Sequence, residues 1–359
     1  MIAVSGKQTD SSFSEANLVG PSVILSQQGK TFSKRQMKPS IVSIAMIAAV
    51  ALLSGCAGET RFKRDLQTFD QSRLPPPDIE LNIPGLGPCT DSPDRSLHLD
   101  SKQPVTVLVH GCFGSSGEFR GLAEVLAFHG QQSACFTYND RDSMMVSSGQ
   151  LTSALDRLTQ PMKSKGVTVI GHSQGALVAR KALTVERSDP ISNRDLQLRL
   201  VTVSGPFSGI AAANQCGNPV TRALSFGLIG PMCRIATGDK WSEITYTSEF
   251  ILKPGTLHKQ VRDYLKVETD ERGTCRRFEN GRCTETDNVF SLDEQRNSII
   301  DSDSQVRIVT VKAGHVEIVG DKRAAPAKLI AILQQNGILN QTEPQRRAGL
   351  DVLLAKLYR

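Results

Sequence analysis

The sequence predicts an α/β fold, in which a mostly parallel sheet is covered by helices on both faces. Two short apolar runs rich in β-branched residues, 105–109 and 167–170, are typical of strands buried on both faces. A helix-like stretch follows each of them along the chain. Repeated strand and helix units of this length predict a parallel sheet rather than a sandwich or a helical bundle.

The other predicted elements continue this alternation. Apolar runs predict further strands at 134–138, 198–203, 264–267 and 306–311. Apolar residues at helical spacing predict helices at 119–128, around 151–158, and at 176–185, 326–335 and 350–358. The first of these helices carries Leu122, Val125 and Leu126 on one face and ends at Gly130.

The composition of the 359 residues is that of an ordinary globular protein, with 39% hydrophobic and 22% charged residues. About half of the net charge of +6 lies before Cys56, so the rest of the chain is only weakly basic. The sequence contains no basic stripe interleaved with aromatic residues, no zinc-type Cys/His spacing and no internal repeat. We therefore expect no nucleic-acid partner and no bound metal.

Residues 37–55 are predicted to form an export signal. Positions 39–55 are uncharged, basic residues precede them, and the apolar run is too short for a comfortable membrane span. The following segment, Leu53–Ala57, resembles the lipobox of bacterial lipoproteins, which implies a lipid anchor on Cys56. By that resemblance Ala57 favours the periplasmic face of the outer membrane in the cell envelope. The alternative is a buried or interfacial helix ending at Gly55.

The domain organisation follows from changes in composition. Residues 1–36 are polar and aperiodic, and we interpret them as a disordered extension or as the result of a mis-assigned start codon. A tether is predicted at 56–88, the folded domain at 89–340 and a C-terminal helix at 341–359. The stretch 207–257 interrupts the strand and helix alternation, which favours a cap or lid over an ordinary long connection.

Export would permit disulfide bonds among the seven cysteines after Cys56. Local pairs are predicted between Cys216 and Cys233 and between Cys275 and Cys283. Three cysteines are left, so one of them is odd: Cys89 can pair with Cys112 or with Cys135, and the spacing does not decide between them.

The strongest functional motif is Gly171-His172-Ser173-Gln174-Gly175, which fits the G-x-S-x-G nucleophile elbow. A nucleophilic serine on a sharp strand-to-helix turn leaves no room for side chains two residues before and after it. The motif lies between a strand-like run and a helix-like run, as that turn requires. The sequence therefore predicts Ser173 as the nucleophile.

A second motif, His110-Gly111, directly follows the strand predicted at 105–109. It resembles the turn at which α/β-hydrolases form the second half of the oxyanion hole. We therefore expect the backbone N–H groups of Cys112 and Gln174 to stabilise a developing oxyanion.

The general base is expected late in the chain. His315 follows the strand predicted at 306–311 within Ala313-Gly314-His315, whereas the other five histidines lie before the core, in the two motifs, at a helix end or near the predicted cap. The chain order Ser, acid, His places the acid between the two. Asp287 is preferred, since Asp287-Asn-Val-Phe resembles the Asp loop of this family, and Asp270 and Glu268 are its rivals.

Together these motifs resemble the bacterial lipase and esterase branch of the α/β-hydrolase family. The stretch Leu200–Gly209 is also similar to the family's L-V-T-x-x-T-P-H-S-G sequence, with Gly205 and Phe207 where Thr and His are usual. The resemblance covers about residues 97–335.

It implies an α/β-hydrolase fold and a serine hydrolase without a cofactor, which cleaves small-molecule or lipid carboxylic esters through an acyl-enzyme. The alternatives are an envelope acyltransferase and an inactive lipoprotein that uses the fold to bind a partner.

Overall fold

The computed structural model describes residues 70–186, 191–213, 238–321 and 323–358. In this part of the chain no helix combines the length and the apolar character needed to cross a lipid bilayer. The predicted extension, the signal segment 37–55 and Cys56 lie outside the described residues, as do Cys216 and Cys233.

The centre of the described chain is a seven-stranded sheet. Its members are β2 (Leu86–Gly87), β4 (Val105–Val109), β5 (Gln132–Phe136), β6 (Gly166–His172), β7 (Gln197–Val203), β8 (Val261–Asp270) and β11 (Val306–Lys312). They are ordered β11-β8-β7-β6-β4-β5-β2, and all neighbours are parallel except β2, which is antiparallel to β5. The predicted mostly parallel sheet is confirmed.

Helices cover both faces of this sheet. They are α1 (Arg120–Phe128), α2 (Met144–Thr159), α3 (Gln174–Ala182), α4 (Glu249–Leu252), α5 (Leu292–Gln295), α6 (Ser298–Asp301), α7 (Ala327–Gln335) and α8 (Arg347–Leu357). Apolar residues of α2 and α3 share one core cluster with alternate residues of β4, β6 and β7. Those of α1 and α7 share a second cluster on the opposite face. The two clusters explain why the central strands are apolar at nearly every position.

Two small antiparallel sheets stand apart from the central one. The first pairs β1 (Ile79–Leu81) with β3 (Leu97–Leu99), and the second pairs β9 (Cys275–Glu279) with β10 (Arg282–Thr286). The tether predicted at 56–88 is therefore too long, because β1 and β2 belong to the fold. Its prolines and glycines indicated a linker, yet Leu86 is fully buried in the sheet.

Several predicted boundaries shift by two or three residues. The strand predicted at 134–138 is Gln132–Phe136, since its pairing with β4 begins at Gln132. The helix predicted at 176–185 is Gln174–Ala182, and it ends where the Val185 N–H turns to the carbonyl of Thr256. The stretch 207–257, which we call the interrupted stretch because the alternation of strands and helices breaks there, contains short 3-10 turns at Ala211–Ala213 and Asp239–Ser242 besides α4.

Disulfide bonds join Cys89 to Cys135 and Cys275 to Cys283. The first selects Cys135, on β5, from the two partners that the spacing left open for Cys89. The second closes the β9–β10 hairpin, as the spacing predicted. At the tip of that hairpin, Asn280 and Gly281 both have positive φ, the conformation that an Asn-Gly turn favours.

Candidate active site

Ser173 lies at the turn between β6 and α3, with φ 56° and ψ −125°. This conformation is rare for a residue with a side chain and marks a strained backbone. A Cβ on Gly171 would lie 2.7 Å from the Gly175 carbonyl carbon, and one on Gly175 would lie 2.8 Å from that of Val109. Carbon contacts normally begin at about 3.5 Å, so both glycines have the steric role that the motif predicts.

His315 follows β11 in a turn that lies over the elbow. Its Nε2 is 3.1 Å from Ser173 Oγ, and the ring meets Phe290 edge-on at 4.8 Å between centroids. The His315 carbonyl accepts a hydrogen bond of 2.9 Å from His172 Nε2. Both the ring and the backbone of His315 are thus held at the predicted nucleophile.

Glu271 directly follows β8, and its carboxylate occupies the Nδ1 side of His315. Oε1 is 2.9 Å from Nδ1, and Oε2 accepts backbone N–H groups of Val289 at 2.6 Å and Phe290 at 2.7 Å. Burial by itself raises the pKa of Glu271, but hydrogen bonds from His315, Phe290 and Ser204 outweigh it and bring the pKa below the ordinary value. A carboxylate at Nδ1 keeps the proton there and leaves Nε2 free to accept the serine proton.

Ser204 is a further member of this network. Its fully buried hydroxyl donates to Glu271 Oε1 at 2.7 Å and lies 2.9 Å from His315 Nδ1. The Thr269 hydroxyl lies 2.7 Å from Ser204 Oγ on the other side. Ser204 also has a positive φ of 50°, which is uncommon for a residue other than Gly, Asn or Asp. Ser204 falls at an unspecified position of the Leu200–Gly209 motif, so that motif did not indicate a role for it.

Asp287, the acid preferred from the sequence, lies elsewhere around the same histidine. Its carboxylate accepts backbone N–H groups of Val316 at 3.0 Å and Glu317 at 3.0 Å, and its carbonyl accepts the His315 N–H at 2.9 Å. A Cβ on Gly314 would overlap this carboxylate. The geometry therefore corrects the predicted triad: Asp287 supports the backbone of the histidine turn, and Glu271 takes the position at the ring.

The two rival acids have other partners. Glu268 is buried between Lys266 Nζ at 2.9 Å and Arg296 Nε at 3.2 Å. Asp270 pairs with Arg272 at 2.8 Å at the surface. Neither carboxylate is directed at His315, because both belong to the face of β8 opposite to that of Val267 and Thr269.

Glu271 could have been found from the sequence only by extending the predicted strand beyond Val267. The predicted strand stopped at Val267, whereas β8 stays paired with β11 as far as Asp270 and Lys312. With the longer strand, the first residue beyond its carboxyl end is Glu271, which continues the alternation of Val267 and Thr269. The acid thus depends on strand length, which the local pattern does not define.

The turn predicted to complete the oxyanion hole lies against the serine. A Cβ on Gly111 would be only 2.9 Å from Ser173 Cβ. Cys112 comes next, and Gln174 is the first residue of α3, where backbone N–H groups have no acceptor within the helix. His110 stacks on Tyr138 at 4.5 Å, and its carbonyl accepts the Tyr138 hydroxyl at 2.8 Å. His110 therefore supports the turn, and burial lowers its pKa.

Glu118 lies in the 3-10 turn Ser116–Phe119, which follows the same loop, and its carboxylate covers Gly114. Burial raises its pKa to about 7, against the opposing effect of His315 and Arg276. His172, inside the elbow, donates from Nε2 to the His315 carbonyl. Burial and the neighbouring His315 lower its pKa to about 3, so His172 stays neutral.

A family model matches this chain over residues 104–263, and it describes palmitoyl protein thioesterase. The matched stretch begins just before β4 and includes Ser173, and it ends before Glu271 and His315. No curated protein has a sequence that matches the chain.

Several solved structures are similar to the chain at low identity. The mature lipase BlEst2 of Bacillus licheniformis is 16% identical, with 73% of this chain and 99% of that chain covered and a TM-score of 0.45. Esterase B of Lactobacillus rhamnosis is 11% identical, with 87% and 95% covered and a TM-score of 0.43. The esterase PF2001 of Pyrococcus furiosus is 14% identical, with 83% and 97% covered and a TM-score of 0.40.

The sheet order, the elbow after β6 and the histidine turn after β11 are those of the α/β-hydrolase fold, so the predicted fold class is confirmed.

Proposed function

We propose that this chain is a serine hydrolase that cleaves acyl esters or acyl thioesters through an acyl-enzyme on Ser173. The observation that carries the proposal is the continuous chain of contacts from Ser173 Oγ to His315 Nε2 and from Nδ1 to Glu271. The thioester enters beside the ester because the matching family model is that of palmitoyl protein thioesterase. Both reactions pass through a tetrahedral intermediate with one oxyanion and lead to the same acyl-enzyme.

The proposed reaction has two halves. His315 Nε2 takes the Ser173 proton while Oγ attacks the acyl carbon, and the protonated imidazole then donates that proton to the departing alcohol or thiol. His315 then takes a proton from water, whose oxygen attacks the acyl carbon. The bond to Ser173 Oγ breaks, His315 returns the proton to Oγ, and the carboxylic acid is released. Glu271 stays ionised throughout and stabilises the imidazolium, and the N–H groups of Cys112 and Gln174 stabilise the oxyanion.

Active-site labelling tests this proposal directly. Purified protein is incubated with a fluorophosphonate probe beside Ser173→Ala and His315→Ala variants of matched circular dichroism. We expect labelling of the wild type, none of Ser173→Ala and a steep fall in His315→Ala. Folded wild-type protein that neither takes up the probe nor turns over p-nitrophenyl esters would instead support the partner-binding alternative.

Paired substrates with the same acyl chain then separate the two bond types. The p-nitrophenyl ester and the N-acetylcysteamine thioester of octanoate and of palmitate are compared by kcat/KM. Adding alcohol acceptors and analysing the products distinguishes hydrolysis from acyl transfer, since an acyltransferase yields a new ester in place of free acid.

Export and lipid anchoring at Cys56 are a separate proposal, supported by the apolar run and the lipobox-like sequence. Metabolic labelling with an alkyne fatty acid in a bacterial host, beside Cys56→Ala, tests it. Label that depends on Cys56 supports the anchor, and equal label in both proteins contradicts it.

A further inference from the structure

The ammonium of Lys240 is buried beside the predicted oxyanion hole. Lys240 lies in the 3-10 turn Asp239–Ser242 of the interrupted stretch, and only 3% of it is exposed. Its Nζ lies 2.8 Å from Gln174 Oε1, 2.9 Å from Cys112 Sγ and 3.2 Å from Asp140 Oδ2. An ammonium has three donors, and here each donor has an acceptor. Two of these acceptors belong to the residues whose backbone N–H groups are predicted to bind the oxyanion.

Asp140, whose carboxylate pairs with Lys240, also contacts the turn after β4 and the first residue of α3. Asp140 Oδ2 accepts the Phe113 N–H at 2.9 Å, next to Cys112, and the Asp140 carbonyl accepts Gln174 Nε2 at 3.0 Å. Burial alone raises the pKa of Asp140, but Lys240 and the Phe113 N–H outweigh it and lower the pKa, so the carboxylate stays charged. The Lys240–Asp140 ion pair therefore joins the turn after β4 to the first residue of α3.

The turn that carries Lys240 is itself anchored to the loop before α2. The Asp239 N–H donates to the Arg141 carbonyl at 2.7 Å, and a Cβ on Gly238 would lie 2.7 Å from Arg141 Cβ. Glu243 accepts the Ser143 hydroxyl at 2.6 Å and the Met144 N–H at the start of α2. These contacts fix where Lys240 enters the site.

We infer that Lys240 is a positioning residue for the oxyanion hole, which its ammonium assembles by holding the Cys112 and Gln174 side chains together. This inference rests on the proposed hydrolase function. Contacts with both side chains keep the two segments that carry the backbone donors at a fixed separation, as a preorganised oxyanion hole requires. The oxyanion hole is thus completed by a residue of the interrupted stretch rather than by the two motifs alone.

The test compares full-length Lys240→Met, the double variant Lys240→Met/Asp140→Asn, and Lys266→Met. Lys266 is a matched control, because it is also a buried lysine in an ion pair, with Glu268 and Asp301, and it does not contact Cys112, Asp140 or Gln174. The double variant removes the unpaired carboxylate that the single variant would leave buried, and the amide oxygen of the new asparagine still offers an acceptor to the Phe113 N–H. Its folding is checked by thermal unfolding.

Two quantities are measured, kcat and KM for a p-nitrophenyl ester and the Ki of an alkyl trifluoromethyl ketone, whose serine adduct carries an oxyanion. In Lys240→Met and in the double variant we expect kcat to fall and Ki to rise by about 10- to 100-fold, with KM within about threefold. Lys266→Met should lose stability with the ratio of Ki to KM unchanged.

Recovery of kcat in the double variant would overturn the inference, because Lys240 would then serve only to neutralise Asp140. Unchanged kcat in Lys240→Met would overturn it as well and leave the hydrolase proposal intact. A wild type that is inactive toward both ester and ketone would overturn the two proposals together.

Discussion

Glu271 and Asp287 hold the same histidine from two sides. Glu271 lies 2.9 Å from His315 Nδ1, and Asp287 accepts the backbone N–H groups of the two residues after His315. One carboxylate therefore sets the tautomer of the ring, and the other sets the path of the turn that presents it. These two roles can be distinguished by experiment, because replacing each carboxylate with its amide should lower kcat by a different factor.

We expect Glu271→Gln to lower kcat by about 10³- to 10⁴-fold, because an amide no longer stabilises the imidazolium or enforces the Nδ1 tautomer. Asp287→Asn should lower kcat by less than about tenfold, and it should lower the melting temperature because one acceptor of the turn becomes a donor. Steady-state kinetics and thermal unfolding of both variants measure this. The reverse order of the two kcat losses would assign the triad acid to Asp287.

Ser204 should contribute to rate through Glu271. Ser204→Ala and Ser204→Gly both remove the hydroxyl that donates to the carboxylate, and we expect kcat to fall about tenfold in each, the effect of one charge-assisted hydrogen bond. Because Ser204 has φ 50°, the Gly variant should be the more stable by up to about 1 kcal/mol. Steady-state kinetics measure the loss of kcat, and urea unfolding measures the difference in stability between the two variants. Full activity in Ser204→Gly would show that only the backbone conformation matters.

The elbow should not tolerate a methyl group. Gly175→Ala places a Cβ 2.8 Å from the Val109 carbonyl carbon, so we expect loss of fluorophosphonate labelling and destabilisation by about 3 kcal/mol or more. Gly349→Ala is the matched control in α8, where the nearest atom would be 3.6 Å away. There the same change should stabilise the protein by about 0.5–1 kcal/mol. Equal stability of the two variants would contradict the steric role of Gly175.

Stability should depend on pH through Glu118. Its pKa is about 7 in the folded chain against 4.5 for an ordinary glutamate, so the folded state binds the proton more tightly. Its contribution to the free energy of unfolding is therefore full below pH 4.5 and is lost as the pH rises to about 7. Glu118→Gln should gain stability relative to wild type over this window. Urea unfolding at pH 4.5, 6 and 7.5 measures the difference, and a constant difference would contradict the raised pKa.

The nucleophile and the base could both be predicted from short local motifs in the sequence. Ser173 and His315 are each marked by neighbouring glycines within a few positions, since steric limits at a turn leave a local pattern. Glu271 lacks such a mark, because its place depends on how far β8 pairs with β11, a contact between segments about 40 residues apart. Asp287 was preferred for a local resemblance, and it does lie at the histidine turn, but at its backbone.

The burial and the contacts of Lys240 could not be predicted from any local pattern in the sequence. Its contacts belong to two loops and the start of α3, which are between 66 and 128 residues away along the chain. A lysine in an irregular stretch is ordinarily a solvated surface residue, and only the assembled sheet reveals that this one is buried. Apolar runs, by contrast, were sufficient to predict the six parallel strands of the sheet, because buried parallel strands are apolar along their whole length. They missed β2, which is only two residues long and antiparallel to β5.

The disulfide-closed β9–β10 hairpin, which lies between Glu271 and Asp287 in the chain, should tolerate insertions at its tip. The Asp287 N–H donates to the Thr274 carbonyl at 3.2 Å, so the chain leaves the domain for β9 and returns from β10 at nearly the same point. The hairpin is mostly exposed, and the backbone donors to Glu271 lie beyond its return. A change in the length of the hairpin should therefore leave the position of Glu271 unchanged. A peptide tag inserted at Asn280–Gly281 would be displayed at the far end of this hairpin, with the contacts of Glu271 unchanged.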